Sequence, residues 1–262
     1  MSLFAIALTI ILSVADSAQL VRFYDDAYSH DSATAAVYAG WRALGAIGKA
    51  DHVIALCARA GVRPASTLEV GCGDGALLCE LHRRGFGGHL AGVEITMAAV
   101  AIARERPQID AVDLFDGIHV PARDGTHDLG ILSHVLEHVP EPVALLADVA
   151  RACRAVLIEV PLEANLSARR ARKREHAAHV GHLQRLDRPS VQKIVQRAGL
   201  SIVGELDDAL PLEVHRFFAT TRPARMAADV KWAARAGLHG LSPRLARRLF
   251  TLHYACLCLP DE

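Results

Sequence analysis

The chain has 262 residues with 29 basic and 29 acidic side chains, and 52% of its residues are hydrophobic while 5% are aromatic. This composition excludes a disordered or fibrous chain, and the net charge of zero argues against nucleic acid as a partner of the whole molecule. The length is sufficient for one doubly wound core with small helical additions at each end.

Two features of the sequence bear on the compartment in which the protein resides. The six cysteines fit neither a disulfide framework nor a paired zinc-binding pattern, so a reducing cytoplasm is expected. Residues 3–15 are almost continuously apolar, but this run is too short to cross a bilayer and no basic segment precedes it. A helix packed on the domain, or a start codon assigned too early, accounts for the run better than secretion or stable membrane insertion.

The first part of the chain alternates between helical and strand patterns. Residues 33–60 predict two helices with a break at 45–48, and Gly61 and Pro64 end the second helix. Short apolar strands are then predicted at 67–70, 89–94, 109–114, 129–133 and 155–160, with helices at 76–84, 97–104 and 142–152. Strands that alternate with helices predict a parallel sheet with right-handed crossovers.

The alternation stops after the fifth strand, where residues 161–186 form a long, polar and basic segment. A long insertion beyond the carboxyl end of a strand is often functional, so this segment is predicted to be a lid over the ligand crevice. Its basic run consists of Arg169, Arg170, Arg172, Lys173 and Arg174. These cations suit a carboxylate or phosphate of a substrate, and a solvated helix face is the alternative.

The rest of the chain completes the predicted fold. A helix is predicted at 189–198, two closing strands at 201–206 and 213–220, and helices over the last forty residues. The expected fold class is α/β, a doubly wound, seven-stranded and mostly parallel sheet with added N- and C-terminal helices. The expected domains are an N-terminal helical cap at 1–62, a core at 63–222 that contains the lid at 161–186, and a C-terminal helical extension at 223–262.

A glycine-rich turn joins the first strand to the helix that follows it. Gly71 and Gly73 let a ligand approach the backbone without obstruction by a Cβ atom, and the helix behind them directs free N–H groups at that ligand. The spacing also satisfies the loose dinucleotide pattern, so a nicotinamide-dependent oxidoreductase is one interpretation. Glu69 favours a different ligand, because its carboxylate would repel a pyrophosphate but attract the ammonium group of an aminoacyl moiety.

A second acid, Glu94, ends the second strand. It lies 23 residues after Gly71, close to the spacing of an acid that binds ribose in dinucleotide folds. One carboxylate accepts hydrogen bonds from two hydroxyl groups at once, so the residue type suits a ribose.

These segments resemble the class I methyltransferases that use S-adenosylmethionine (SAM), and in particular their small-molecule subgroup. The resemblance covers roughly residues 60–220 and implies a Rossmann-like fold with SAM as the cofactor. It rests on LEVGCGDG at 68–75, AGVE at 91–94, DG at 116–117, DLGILSHVLEHVP at 128–140, and GHL at 181–183.

The resemblance places SAM at the glycine turn and at the strand ends. The residues implied are Glu69, Gly71, Gly73, Asp74, Gly75, Glu94, Ile95, Asp116, Gly117 and Ser133. The acid of the second strand is implied to bind both ribose hydroxyls, and the Asp-Gly pair to lie beside the adenine. For Asp116 an ordinary turn is the alternative.

The activity implied by the resemblance is methyl transfer to a nucleophile of a small molecule, with a hydroxyl or carboxyl oxygen preferred as acceptor. A hydroxyl must lose its proton, and a side chain that titrates near neutrality is suited to remove it. His182, at the end of the lid, is the preferred general base, and His134, beyond the fourth strand, is the alternative. A structural or orienting role stays open for both.

No metal site is predicted. His176, His179 and His182 are spaced by three and would share one face of a helix, but no Cys or Asp joins them at tight spacing. The expected partner is a small-molecule acceptor, with an anionic one suited to the basic run and nucleic acid not expected. A non-catalytic SAM-binding module stays open beside the oxidoreductase, and the oligomeric state is not assigned.

Overall fold

A seven-stranded sheet organises the computed structural model, which describes residue 28 and residues 33–261. The predicted apolar run at 3–15 lies outside these described residues. The strands are β1 (Ser66–Val70), β2 (His89–Glu94), β3 (Ala111–Leu114), β4 (His127–Ser133), β5 (Cys153–Pro161), β6 (Leu200–Asp208) and β7 (His253–Pro260). Their order in the sheet is β3-β2-β1-β4-β5-β7-β6, and β7 runs antiparallel to both of its neighbours.

Helices cover both faces of this sheet. They are α1 (Ala33–Ala60), α2 (Ala76–Arg83), α3 (Met97–Arg104), α4 (Pro142–Ala152), α5 (Ala171–His179), α6 (Arg188–Arg197), α7 (Leu212–Arg216), α8 (Arg222–Leu241) and α9 (Pro243–Leu249). A 3-10 turn at Ser167–Arg169 lies between β5 and α5. Within the described part of the chain, no helix is both long and apolar enough to cross a membrane.

The side chains of the central strands alternate between two core layers. On β5, Val156 and Ile158 belong to the layer beneath α4 and α6, whereas Leu157 belongs to the layer beneath α1 and α2. Because both faces of the sheet are covered, its strands are nearly continuous apolar runs in the sequence. The predicted α/β fold with seven strands is confirmed, and the bounds of β2, α3 and α4 coincide with those predicted.

The prediction of two helices before residue 60 is wrong, because α1 is one continuous helix of 28 residues. Gly45 and Gly48 do not interrupt it, although each glycine costs a helix about 1 kcal/mol relative to alanine. One face of α1 carries fully buried residues, among them Val53 and Leu56, which pack on the sheet. Burial of that face outweighs the cost of the glycines.

The prediction of a closing strand at 213–220 is also wrong. The chain forms α7 there, and Phe217 and Phe218 pack on Trp41 of α1 with ring centroids 5.4 Å and 5.1 Å away. The closing strand is β7, within the terminal segment for which helices with a turn near 237–243 were predicted. Its side chains Tyr254 to Cys258 are almost completely buried, so this more apolar segment takes the position between β5 and β6.

We therefore expect β7 to be essential for stability. Replacement Leu257→Ala should lower the free energy of unfolding by about 2–5 kcal/mol, because it leaves a cavity between the sheet and α1. Leu241→Ala is the matched control, since Leu241 is 87% exposed and its loss should change stability by less than about 0.5 kcal/mol. Urea denaturation measures both. Equal effects of the two substitutions would show that the C-terminal segment is an appendage.

Candidate active site

A cavity of about 600 Å3 lies at the edge of the sheet where the parallel strands end. Its walls come from the carboxyl ends of β1, β2 and β4, from α1, from the lid segment 161–186 and from β7. Because β7 is antiparallel, its first residue, His253, reaches the same edge and pairs with Pro161 at the end of β5. In an open α/β sheet this edge is where ligands bind.

The structure brings most of the predicted site residues together at this cavity. Those that line it are Glu69, Gly71, Gly73, Asp74, Glu94, Ile95, Asp116, Gly117, Ser133, His134 and His182. Gly75 is not among the lining residues. It caps the start of α2 with a φ of 76°, and a Cβ atom there would lie 2.3 Å from Ile109 Cδ1. Glycine is therefore required at Gly75 for the conformation of the turn, not for contact with a ligand.

The turn requires glycine at Gly71 and Gly73 for a reason that the sequence did not reveal. Their φ angles are 71° and 55°, a left-handed conformation that other residues rarely adopt. A Cβ atom at Gly71 would lie 2.7 Å from Val135 Cγ2, and one at Gly73 would lie 2.4 Å from Tyr28 Oη. The glycines are thus needed to form the turn itself, and not only to leave room for a ligand.

Glu69 is a buried acid at the end of β1. It is 4% exposed, and its Oε2 atom finds no hydrogen-bond partner among the described residues. Burial raises the pKa of Glu69 to about 8, although the positive charge of Lys49 on α1 opposes the shift. A buried carboxyl group with an unused oxygen is suited to receive a cationic ligand, which would favour its ionised form.

Glu94 connects the end of β2 to the glycine turn. Its Oε2 atom accepts a hydrogen bond of 2.9 Å from the backbone N–H of Gly73, and its Oε1 atom accepts bonds from the N–H groups of Ile95 and Thr96. The hydroxyl group of Ser133, at the end of β4, is buried and has no partner among the described residues. These groups present polar atoms along one wall of the cavity.

Asp74 and Asp116 are engaged with protein groups. Asp74 is 2% exposed and accepts a 2.8 Å hydrogen bond from Arg42 of α1, which ties that helix to the glycine turn. Asp116 is exposed and accepts backbone hydrogen bonds from Ile118 and His119, as expected for an Asp-Gly turn. Asp116 still borders the cavity, so its predicted place beside the adenine stays a prediction.

The segment 161–186, which is predicted to be a lid, carries His182 to the cavity, where its ring lies against a carboxylate. His182 Nδ1 lies 2.7 Å from Glu163 Oε2, and the ring packs edge-on against His138 with 4.7 Å between centroids. The lid is anchored to the segment after β4, because Glu137 O accepts hydrogen bonds from the N–H groups of Leu183 and Gln184. A carboxylate at Nδ1 fixes the tautomer that leaves Nε2 as a proton acceptor.

His134 has a different environment. Its Nδ1 lies 3.1 Å from Glu137 Oε1, and its Nε2 lies 3.2 Å from His253 Nδ1. Burial and Lys49 lower the pKa of His134, but Glu137 and Glu159 outweigh them, and the net shift is upward. Both ring nitrogens are already in contact with protein groups, so His134 is less available than His182 to take a proton from an acceptor.

The basic run of the lid is divided between solvent and the interior. Arg169, Arg170 and Arg174 are exposed, whereas Lys173 is half-buried in a smaller adjoining cavity of about 190 Å3. That cavity also contains Arg235 of α8. Burial and the charge of Arg235 lower the pKa of Lys173. Two cations are therefore held together beside the main cavity, with Glu163, Leu210, Thr251 and His253 shared between the two walls.

The histidine series 176, 179 and 182 does not lie on one helix, because α5 ends at His179 and His182 follows it.

Several residues of the cavity wall were not predicted from the sequence. They are Trp41, Arg42, Lys49, Glu163, Thr251 and His253. No local pattern identifies them, since each reaches the site through long-range packing. Glu159 does not line the cavity but contacts His134 and His253, which do. An acid within the otherwise apolar strand β5 is a signal that the sequence does carry.

Comparison with known proteins identifies the architecture. The profile of a family described as "Methyltransferase domain" matches residues 41–205. A curated relative, the ubiquinone biosynthesis O-methyltransferase of Acinetobacter baumannii (strain ACICU), is 28% identical over 103 residues. That match covers 37% of this chain and 41% of the relative, so it spans less than half of the curated protein.

Solved structures share the fold at low sequence identity. A putative sarcosine dimethylglycine methyltransferase from Galdieria sulphuraria is 14% identical with a TM-score of 0.58, over 81% of this chain and 85% of that chain. A geranyl diphosphate C-methyltransferase from Streptomyces coelicolor A3(2), in complex with Mg2+, geranyl diphosphate and S-adenosyl-L-homocysteine, is 15% identical with a TM-score of 0.54. That match covers 74% of this chain and 70% of the other.

Proposed function

Since the chain belongs to the methyltransferase-domain family and is a SAM-dependent methyltransferase, we propose that it methylates an oxygen atom of a small, negatively charged acceptor. Membership of this family argues against the alternative interpretation as a nicotinamide-dependent oxidoreductase. The observation that carries the proposal is the pair of half-buried cations, Lys173 and Arg235, beside a cavity that contains a histidine–carboxylate pair. We also propose a cytoplasmic location, because the six cysteines are free and a reducing compartment keeps them so.

The cofactor half of the cavity is assigned to the glycine turn and the ends of β1 and β2. Glu69 is proposed to pair with the ammonium group of SAM, because its Oε2 is unused and buried. Glu94 is proposed to bind the ribose hydroxyls, and the Ser133 hydroxyl supplies a further polar contact. Ile95, Asp116 and Gly117 are proposed to border the adenine. The residues present thus offer partners for the ammonium group and the ribose hydroxyls of SAM.

The acceptor half is assigned to the lid, α8 and the start of β7. Within the described part of the chain, neither Lys173 nor Arg235 forms an ion pair within 4.0 Å. Lys173 contacts the Ser167 hydroxyl at 3.3 Å, and Arg235 lies over the Phe250 ring. The charge of Glu163 acts on Lys173, but neither cation is held by a carboxylate at ion-pair distance. Half-buried cations of this kind are suited to an anion such as a carboxylate or phosphate.

When bound, SAM supplies a sulfonium methyl group that is reactive on its own. The residues of this chain have to hold the acceptor oxygen in line with that methyl group and exclude water. His182 is the proposed general base: Glu163 holds a proton on Nδ1, and Nε2 is left to accept the proton of an acceptor hydroxyl. Oxygen as the acceptor atom is supported by the name of the curated relative, an O-methyltransferase.

The charge of the acceptor is tested with a metabolite extract separated by anion exchange and incubated with methyl-labelled SAM. Acceptor activity should lie in the anionic fraction. At limiting acceptor, Lys173→Met and Arg235→Met should each lower the rate about ten- to a hundredfold, the scale of one hydrogen bond to a charged group. Lys231→Met, an exposed cation on the same helix as Arg235, is the control. Activity confined to the neutral fraction would refute an anionic acceptor.

The role of His182 is tested by pH–rate profiles once an acceptor is in hand. His182→Gln should lower the rate by about a hundredfold or more and remove the acidic limb of the profile, because the group that must be unprotonated is gone. A structural histidine would change the rate without removing that limb. If His182→Gln keeps both the rate and the limb while His134→Gln loses them, the base is His134.

A further inference from the structure

Three atoms that commonly ligate metals converge at the inner wall of the cavity. His134 Nε2 lies 3.2 Å from His253 Nδ1, and Glu159 Oε1 lies 3.7 Å from the first and 3.5 Å from the second. A point equidistant from the three lies about 2.0 Å from each, which is the length of a zinc–nitrogen or zinc–oxygen bond. We propose that His134, Glu159 and His253 bind a divalent transition-metal ion, with Zn2+ as the first candidate.

The unused oxygen of Glu159 supports a metal in particular. Glu159 is 1% exposed on β5, and its Oε1 has no hydrogen-bond partner among the described residues, although two imidazole nitrogens face it. A buried carboxylate oxygen without a donor is costly. The spacing of 3.5 to 3.7 Å is long for hydrogen bonds but normal between two ligands of one ion.

The backbone of His134 is strained in the conformation that directs its ring towards the other two side chains. His134 has a φ of 60°, the left-handed region that histidine rarely occupies, and its N–H donates to Glu159 O at 2.8 Å. Strained residues of this kind cluster at functional sites, because the surrounding structure has to hold them there. His253 is fixed by its pairing with Pro161 at the edge of the sheet.

A second layer of contacts sets the protonation state that metal binding requires. His134 Nδ1 lies 3.1 Å from Glu137 Oε1, so its proton belongs on Nδ1 and the lone pair of Nε2 faces the ion. The other oxygen of Glu159 contacts His52 Nδ1 at 3.3 Å, and His52 Nε2 contacts Asp208 at 3.0 Å. A carboxylate that orients a ligating histidine, as Glu137 does, and hydrogen bonds to a ligating carboxylate, as from His52, are the usual support of a protein metal site.

The site would be an open one. Two imidazoles and one carboxylate leave at least one coordination position, as in catalytic zinc sites. His134 and His253 both line the large cavity, so an oxygen of solvent or of a bound molecule completes the coordination. The proposal concerns the ion alone and does not depend on the identity of the acceptor.

The test uses the full chain, purified with a tag free of histidine and without chelators. Titration with Co2+, followed by its visible d–d absorption, should show about one equivalent bound, and Zn2+ should displace it. His253→Gln and Glu159→Gln should weaken binding by more than about a hundredfold, because loss of a supporting contact alone costs about ten- to a hundredfold. Glu137→Gln should fall in that smaller range, and His89→Gln, an exposed control on β2, should bind normally.

If His134, Glu159 and His253 are linked by hydrogen bonds alone, with no ion between them, the protein should not bind Co2+ at this place. Wild-type protein that binds no Co2+, or folded His253→Gln and Glu159→Gln variants that bind it as wild type does, would overturn the proposal. If neither variant folds, the anomalous diffraction of Zn2+ in a wild-type crystal decides. A peak between the three side chains supports the site, and its absence there refutes it.

Discussion

Buried carboxylates at the carboxyl edge of the sheet are the constraint on which the site depends. Glu94 is the last residue of β2, and Glu69 and Glu159 lie within two residues of the ends of β1 and β5; their exposed fractions are 6%, 4% and 1%. A carboxylate in such a place is costly unless hydrogen bonds or positive charge compensate it. Backbone N–H groups compensate Glu94, and histidines surround Glu159. Glu69 and Glu159 each keep one oxygen without a hydrogen-bond partner among the described residues. Each acid is therefore suited to a polar or cationic partner.

The two halves proposed for the cavity are built in different ways. The proposed cofactor half is mostly local in sequence: the end of β1, the glycine turn and the end of β2 lie within about thirty residues, and the hydrogen bond from Gly73 to Glu94 joins them. Asp116, Gly117 and Ser133 come from farther along the chain. The proposed acceptor half is assembled from distant segments, namely the lid, α8 and the start of β7. Arg42 and its partner Asp74 hold α1 across the junction of the two halves.

This division explains what the sequence could predict. The strand-to-helix turn and Glu94 carry their signal in short patterns, so they were located correctly, as were β2, α3 and α4. The position of β7 depends on competition between two segments for one place in the sheet, and no local pattern decides it. Continuity of α1 through Gly45 and Gly48 likewise depends on burial of its other face. His253 lies at the site because β7 is antiparallel, which brings its first residue to the carboxyl edge of the parallel strands.

The central claim, that Glu69 receives the ammonium group of the cofactor, is tested by calorimetry of S-adenosylhomocysteine binding in buffers of different ionisation enthalpy. With a pKa of about 8 in the free protein, Glu69 is protonated at pH 6.5 and must ionise to pair with the ammonium. Wild type should thus release about one proton on binding. Glu94→Gln should bind more weakly but release the same proton, and Glu69→Gln should release none. Equal proton release by wild type and Glu69→Gln would contradict the assignment.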